Sequence, residues 1–304
     1  MTDTVLTLIA TPLPGNKTGG LTPAIVARVR DALNAIGAKT DTPDWLHETI
    51  ACDIAFSGAG AIKVPETARA ALGDLAVDMA TGPAQGRQKK LLLADMDSTI
   101  VTSETLDELA ACAGIKDQVA AITTRAMAGE LDFEGALRER VAMLKGLSED
   151  ALEKTMAGVE LTPGAKTLAA TMKKNGAHLI LISGGFDYFT ERVRALAGFD
   201  ENISNQLGVN GGKLTGTVEG VIVDKTVKQT TLFEATKKRG LDRSETMAVG
   251  DGANDGPMIE AADLGVAYRG KPVLAEVADA NILHSDLTAL LYLQGYRAKD
   301  IISA

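Results

Sequence analysis

Apolar residues recur at two different spacings along the N-terminal part of the chain. Residues 5–9 form a short apolar run typical of a strand, whereas residues 22–36 carry apolar side chains at helical spacing after a Thr-Pro start. Alternation over residues 50–56 predicts a second strand, and a further helix leads to a third strand near residues 75–79. This order predicts a small ferredoxin-like α/β unit over residues 1–84.

The N-terminal pattern resembles the ACT-like domains that often precede metabolic enzymes. Three alternatives stay open for this unit: it senses a small ligand, it pairs two chains, or it does neither. It is therefore a candidate surface for a homodimer. A polar stretch with two glycines at residues 81–90 is interpreted as a linker. We therefore expect a second domain over residues 85–304.

Three short apolar runs, at residues 91–94, 179–182 and 247–249, organise the second part of the chain. A helical pattern follows each run, and strands that alternate with helices predict a parallel, doubly wound, Rossmann-like α/β sheet. Ligands bind such sheets beyond the carboxyl ends of the strands. The residues that follow these runs are therefore the first candidates for a functional site.

Two segments depart from this alternation of strands and helices. Residues 104–160 are strongly helical and nearly free of strand pattern, which predicts a helical cap inserted after the first strand of the sheet. Residues 208–223 are rich in glycine and β-forming residues around Asn210-Gly211, which predicts a hairpin.

Composition narrows the class of protein. The net charge of −9 and the 4% aromatic content disfavour a nucleic-acid partner, because such proteins carry basic surfaces and stacking side chains. Only two cysteines are present, which is typical of a reducing compartment. Neither a basic leader nor a continuous apolar run of membrane-spanning length is recognisable. We expect a cytoplasmic protein with a small-molecule substrate and no membrane partner.

Two acidic loops follow predicted strands. Asp95 and Asp97 are spaced so that an extended segment points both carboxylates the same way, and Asp251 and Asp255 follow another strand. Carboxylates held together need a cation, and oxygen ligands are those that Mg²⁺ prefers. Taken alone, the first pair is common in surface loops, and the second loop is explained equally well as a turn that caps a helix.

Two further signals suit an anion. Ser183, Gly184 and Gly185 lie between a predicted strand and a helix, where a hydroxyl and exposed N–H groups can hold a phosphate. Lys228, near a helix start, can neutralise phosphoryl charge. A turn and a solvated lysine are the ordinary interpretations of these two signals, and Lys225 is a close competitor for the second.

The order of these motifs resembles the haloacid dehalogenase superfamily. That superfamily carries Asp-x-Asp-x-Thr, Ser/Thr, Lys and Gly-Asp-x-x-x-Asp in this sequence order, and the match covers roughly residues 90–285. Further segments are similar to the phosphoserine phosphatases: Asp95–Thr99 with Glu104, residues 126–129 with Phe133, and residues 137–141, 183–186 and 249–255.

The resemblance implies an enzyme that hydrolyses O-phosphoserine to serine and phosphate, the last step of serine biosynthesis. It implies that Asp95 is the nucleophile and that Asp97 is the general acid and base. Mg²⁺ is expected on Asp95, the backbone carbonyl of Asp97 and Asp251, with Asp255 in support. Lys228 is expected to offset the charge of the phosphate.

The resemblance also implies a division between phosphate and amino-acid contacts. Ser183, the Gly184 N–H and Asn254 are expected to hold phosphate oxygens. Glu104 is expected to bind the ammonium of the substrate, and Arg140 its carboxylate.

Two residues of the predicted cap are expected to close over the site. They are Met127 and Phe133, for which packing inside the cap is the ordinary alternative. The ordinary alternatives for Glu104 and Arg140 are an acid in the first turn of a helix and a solvated helix face.

Two other functions fit part of this pattern. One is a different phosphatase or phosphotransferase of the same superfamily, acting on another small phosphate ester. The other is a ligand-binding regulator with a vestigial site, against which the presence of every predicted catalytic residue argues.

Overall fold

The computed structural model describes residues 4–11, 20–58, 63–127 and 130–304. The side chain of Met127 is outside this description, as are the predicted turn at Pro12–Gly19 and the cap residues Ala128 and Gly129. No helix in the described ranges is both long and apolar enough to cross a membrane.

Strands and helices are named here in chain order. The strands are β1 (Thr4–Ile9), β2 (Lys39–Thr40), β3 (Asp44–His47), β4 (Ala51–Ser57), β5 (Asp78–Pro83), β6 (Leu91–Ala94), β7 (His178–Phe186), β8 (Glu201–Asn210), β9 (Lys213–Glu219), β10 (Thr246–Gly250), β11 (Leu264–Tyr268) and β12 (Ala280–Ile282). The helices are α1 (Pro23–Ala35), α2 (Lys63–Leu72), α3 (Thr105–Cys112), α4 (Lys116–Met127), α5 (Phe133–Ala142), α6 (Asp150–Ala157), α7 (Ala165–Lys174), α8 (Asp187–Ala197), α9 (Lys225–Arg239), α10 (Gly256–Ala261), α11 (Pro272–Ala275) and α12 (Ala289–Leu293).

The doubly wound sheet predicted for the second part of the chain is confirmed. Strands run in the order β12-β11-β10-β6-β7-β8, with parallel pairing throughout. All four residues of β6 are buried, and apolar clusters cover both faces of the sheet. The strand order reverses beside β6, so the carboxyl ends of β6, β7 and β10 converge where such sheets bind ligands.

The predicted cap is also confirmed as a helical insertion, formed by α3 to α6 between β6 and β7. The predicted hairpin is β8–β9, and its turn residues Gly211 and Gly212 have φ of +60° and +75°, which glycine adopts without strain. The hairpin packs on the cap, because the N–H of Leu214 donates to Leu147 and that of Glu149 to Gly212.

The N-terminal part forms an antiparallel sheet with strand order β2-β4-β1-β5, and β3 also pairs with β4. Helices α1 and α2 pack on it around a separate apolar cluster that includes Leu6, Val29 and Ile54. Thr22 caps α1 as predicted, because its side chain accepts the N–H of Ile25.

The predicted bounds of the third strand and of the linker differ from those in the structure. The strand expected near residues 75–79 is β5, at Asp78–Pro83, so the first residues of the expected linker are paired in a sheet. Their backbone groups bond β1, and Met79 also pairs with Asn281 of β12. One continuous sheet therefore runs through both parts, since antiparallel pairing with β1 satisfies the backbone of this polar segment.

Candidate active site

Asp95 and Asp97 lie directly beyond the carboxyl end of β6. The N–H of Asp95 donates to the Val249 carbonyl at 2.9 Å, which continues the pairing with β10 by one residue. Ser98 then has φ +54°, a left-handed conformation that turns the chain back after the second carboxylate. Both carboxylates therefore face the same site from a tight loop, and Asp95 is 4% exposed.

The Asp97 carboxylate is held by two donors. Its Oδ1 accepts the N–H of Thr105 at 2.8 Å, and its Oδ2 accepts the hydroxyl of Ser183 at 3.3 Å. Burial, followed by the nearby Glu104 carboxylate, raises the pKa of Asp97 to about 7. A group with this pKa can both donate and accept a proton near neutrality.

The second acidic loop follows β10. Asp255 is fully buried, and its Oδ2 accepts the N–H groups of Asp251 and Gly252, both at 3.1 Å. A Cβ on Gly250 would lie 2.3 Å from this same carboxylate oxygen, so the loop requires glycine there. Burial and the Asp255 charge raise the pKa of Asp251 to about 6.

Lys228 joins the two acidic loops. Asp224 caps α9 by accepting the N–H groups of Thr226 and Val227, which places Lys228 in the first turn of the helix. The Nζ atom lies 2.5 Å from Asp95 Oδ1 and 2.7 Å from Asp255 Oδ1.

Lys228, Asp95 and Asp255 are all buried, so each of these charges affects its neighbours strongly. Burial alone would lower the pKa of Lys228, but Asp255 and Asp95 outweigh it and hold the pKa above its usual value. Burial and the Asp255 charge raise the pKa of Asp95, and Lys228 opposes that rise. A cation near Asp95 is therefore needed to keep its carboxylate ionised.

The predicted ligands fit a metal ion. Carboxylate oxygens of Asp95, Asp251 and Asp255 all lie within 4.8 Å of one another. The donor set consists of oxygen atoms alone, which suits a hard cation such as Mg²⁺. The structure therefore brings together the three carboxylates expected at the metal, those of Asp95, Asp251 and Asp255. Asp97 is expected to contribute only its backbone carbonyl, and its carboxylate accepts hydrogen bonds from Thr105 and Ser183.

Ser183 and Gly184 form the wall opposite the second acidic loop. Ser183 is buried, and its Oγ accepts the N–H of Gly185 at 2.8 Å, which fixes the backbone at the carboxyl end of β7. A Cβ on Gly185 would lie 3.0 Å from Asp97 Oδ2, and one on Gly184 would lie 3.1 Å from Phe133 Cζ. These contacts leave little room for larger residues beside a bound anion.

A cavity of about 520 Å³ opens above these groups, between the sheet and the cap. It is lined by Asp95, Asp97, Ser98, Glu104, Leu106, Asp107, Thr123, Phe133, Leu137, Arg140, Ser183, Gly184, Gly185, Asp251, Asn254 and Lys271. All the predicted site residues with described side chains line this cavity except Lys228 and Asp255, which lie beneath its floor.

The predicted specificity residues face the cavity from the cap side. Glu104 precedes α3 but makes no capping bond with its side chain; Glu104 Oε1 accepts the hydroxyl of Ser98 at 2.6 Å instead. Arg140 is half-buried, and its Nε donates to the Ala136 carbonyl at 3.2 Å. Burial lowers the pKa of Arg140, although Asp107 and Glu104 oppose this. Phe133, at the start of α5, is 38% exposed.

Neither Lys271 nor Asn205 was assigned a role from the sequence. Lys271 lines the cavity, and its N–H donates to the Asp251 carbonyl at 2.8 Å. Its position after the apolar run of β11 is a signal that sequence reasoning could have used. Asn205, buried on β8, bonds Gly184. It belongs to no motif.

Comparison with known proteins supports this geometry. A model of the haloacid dehalogenase-like hydrolase family matches residues 92–260, which is more than half of the chain. A phosphoserine phosphatase of Archaeoglobus fulgidus is 45% identical over 204 residues, which cover 67% of this chain and 59% of that protein. A phosphoserine phosphatase of Streptomyces coelicolor is 38% identical over 306 residues, covering 99% of this chain and 72% of that protein.

Solved structures agree in fold. A probable phosphoserine phosphatase from Vibrio cholerae superposes with a TM-score of 0.76 at 29% identity, covering 98% of this chain and 88% of that one. The likeness extends over the N-terminal part as well as over the sheet and cap. The chain belongs to the haloacid dehalogenase-like hydrolase family.

Proposed function

We propose that this chain is a phosphoric monoester hydrolase that converts O-phosphoserine to serine and phosphate, the last step of serine biosynthesis. One observation carries the proposal. Asp95 lies at the floor of the cavity, with Lys228 directly beneath it, and Glu104 and Arg140 line its cap side. The first pair suits a phosphoryl group, and the second suits the ammonium and carboxylate of an amino acid. Relatives named phosphoserine phosphatase, 38% and 45% identical, support the same substrate.

In the first proposed step, an Asp95 oxygen attacks the phosphorus in line. A bond forms from this oxygen to phosphorus, the bond from phosphorus to the serine oxygen breaks, and Asp97 donates its proton to that oxygen. In the second step Asp97 takes a proton from water, which attacks the phosphorus and releases Asp95 and phosphate. The pKa of about 7 at Asp97 supports both transfers.

The proposed cofactor is Mg²⁺, held by Asp95, Asp251 and the backbone carbonyl of Asp97, with Asp255 in support. When bound, the ion supplies positive charge that offsets the phosphate and the nucleophilic carboxylate. Asp255 also orients the loop, because it accepts the N–H of Asp251.

Phosphate oxygens are proposed to bind four groups. Ser183 and the N–H of Gly184 contribute from the carboxyl end of β7, Asn254 from the second acidic loop, and Lys228 from α9. These groups surround Asp95 on separate elements, so the phosphoryl group is oriented before it is attacked.

Substrate choice is assigned to the cap. Glu104 binds the ammonium, and the two terminal nitrogens of Arg140 bind the carboxylate as a bidentate pair. Phe133, partly exposed and in contact range of Gly184, closes over the substrate together with Met127.

The proposal extends to the domain organisation. Residues 1–84 are proposed to form a ferredoxin-like, ACT-like unit, and residues 85–304 the phosphatase domain with its cap at about 104–160. The strand order β2-β4-β1-β5, with two helices on one face, supports that assignment. A homodimer through this unit and a cytoplasmic location remain parts of the proposal, as does the absence of nucleic-acid and membrane partners.

The test is a substrate panel with purified protein and Mg²⁺. We expect phosphate release from phosphoserine to exceed that from p-nitrophenyl phosphate in kcat/KM, and Asp95→Asn to abolish both. Equal turnover of all esters would contradict the proposed substrate. Transfer of phosphate to an added alcohol in preference to water would assign the chain to the phosphotransferases.

A further inference from the structure

An irregular segment at the carboxyl end of β7, which includes Ser183 and Gly184, interrupts the pairing of β7 with β8. Ile182 is in register with Ile203, but the next pair is Phe186 with Asn205, so four residue steps along β7 face two along β8. Regular pairing cannot satisfy the backbone of the extra residues in β7. The Gly184 carbonyl therefore needs a donor outside the regular pairing, because a backbone acceptor withdrawn from water without one is costly.

Asn205 supplies that donor. It is fully buried on β8, and its Nδ2 donates to the Gly184 carbonyl at 2.8 Å. Its Oδ1 accepts the N–H of Val223, also at 2.8 Å. Both ends of the amide are thus used, and the donor and acceptor atoms match their partners in only one orientation of the side chain.

The second contact reaches the nucleophile by a short path along the chain. Val223 immediately precedes Asp224, the residue that caps α9. Lys228 lies in the first turn of that helix and bonds both Asp95 and Asp255. One amide therefore joins the carboxyl end of β7 to the start of the helix that carries Lys228.

We infer that Asn205 is a positioning residue for phosphoryl transfer, which sets the Gly184 N–H and the start of α9 at a fixed separation around the phosphate. Asn205 itself does not line the cavity. The inference rests on the proposed function in one respect, that the substrate is a phosphate ester. It does not depend on which alcohol carries the phosphate.

The geometry restricts which side chains can replace it. Asparagine offers a donor and an acceptor on one carbon atom at the end of a short stem, as the two contacts require. Aspartate has the same shape and can accept the N–H of Val223, but in its ionised form it has no proton for Gly184 and places a negative charge against that carbonyl. Alanine removes both contacts and leaves the two backbone groups without these partners.

The test compares Asn205→Asp with Asn202→Asp, a matched control on the same strand. Asn202 bonds the hydroxyl of Thr190 rather than any group of the site. We expect Asn205→Asp to lower kcat/KM by about 10- to 100-fold, since small displacements of binding groups have effects of this size. The loss should be equal for phosphoserine and p-nitrophenyl phosphate, because both present the same phosphoryl group. Inhibition by inorganic phosphate should weaken in parallel, and Asn202→Asp should leave all three readouts unchanged.

The same panel separates the possible failures. Wild-type protein with no preference for phosphoserine would contradict the proposed substrate, while the effect of Asn205→Asp on p-nitrophenyl phosphate would still test the inference. The inference is overturned if Asn205→Asp retains wild-type rates, or if its loss is confined to phosphoserine. Asn205→Ala provides a second variant, with a smaller loss expected because it removes the contacts without placing a negative charge against the Gly184 carbonyl. If neither variant unfolds cooperatively on heating, the role of Asn205 is structural and the inference is wrong.

Discussion

Lys228 and Asp95 are separated by 133 residues, and their side chains meet at 2.5 Å beneath the cavity floor. Both are buried, so each charge depends on its neighbours for stabilisation rather than on water. The contact links the strand that ends beside Asp95, the proposed nucleophile, with the helix that follows the hairpin.

Replacing Lys228 tests this relationship directly. In Lys228→Met we expect kcat with phosphoserine to fall by at least about 100-fold, because the attacking carboxylate and the phosphate lose the charge that screens them. Lys225→Met is the matched control, since Lys225 is the first residue of α9 and its side chain is exposed. Steady-state kinetics of the two variants would contradict the assignment if both retained wild-type kcat.

Specificity should depend on the cap residues alone. We expect Arg140→Ala and Glu104→Gln each to lower kcat/KM for phosphoserine by about 10- to 100-fold, because a desolvated charge on the substrate loses its partner. Activity on p-nitrophenyl phosphate, which lacks both charges, should change little in Arg140→Ala. In Glu104→Gln it should fall less than activity on phosphoserine, since the Glu104 charge also contributes to the raised pKa of Asp97. Arg138→Ala is the control, because Arg138 pairs with Glu134 on the exposed side of the same helix. An unchanged preference for phosphoserine in both cap variants would disprove the assignment.

Metal affinity should rise with pH. Burial, together with Asp255, raises the pKa of Asp251 to about 6, and only the ionised carboxylate binds a cation. Below this pKa the ion must displace a proton from Asp251, so the affinity for Mg²⁺ should increase from pH 5 to pH 7. Above pH 7 the Asp251 carboxylate is ionised and contributes no further increase in affinity. Calorimetric titration of metal-free protein with Mg²⁺ measures both the affinity and the released proton. A constant affinity across this range would contradict the prediction.

The junction of the two parts of the chain depends on Asp78. Its buried carboxylate accepts the N–H groups of Leu283, His284 and Ser285 at 2.8 to 3.2 Å. In Asp78→Ala these donors lose a charged acceptor, and we expect the free energy of unfolding to fall by about 2–4 kcal/mol. Urea titration measures the change, and Asp74→Ala is the control because Asp74 is exposed in the preceding turn. Equal stability of the two variants would show that this contact contributes nothing.

Local sequence patterns were sufficient for much of the core. The apolar run before Asp95 predicts a buried strand, because a strand covered on both faces consists of consecutive apolar residues. Asn210-Gly211 predicts a hairpin turn, because these residues adopt the backbone angles that such a turn requires. The position of Lys228 in the first turn of α9 follows from the cap at Asp224. The choice between Lys228 and Lys225 required the structure, because it depends on which face of the helix meets the sheet.

Polar segments were the least predictable. β5 contains Gly82 and Pro83 and has the composition of a linker, yet it pairs with β1 along its whole length. The pattern also does not predict the short strands β2, β3, β11 and β12, whose pairing depends on partners distant in sequence. Backbone pairing of this kind leaves little trace in local composition.

The sequence by itself therefore determined the order of the elements and the residue types that can perform phosphoryl chemistry, because these depend on local spacing and on intrinsic side-chain chemistry. Only the tertiary structure decided which of those residues meet, how burial shifts their pKa values, and that Asn205 joins two motifs. Such relationships arise from packing between strands and helices that are remote along the chain, and no local pattern records them.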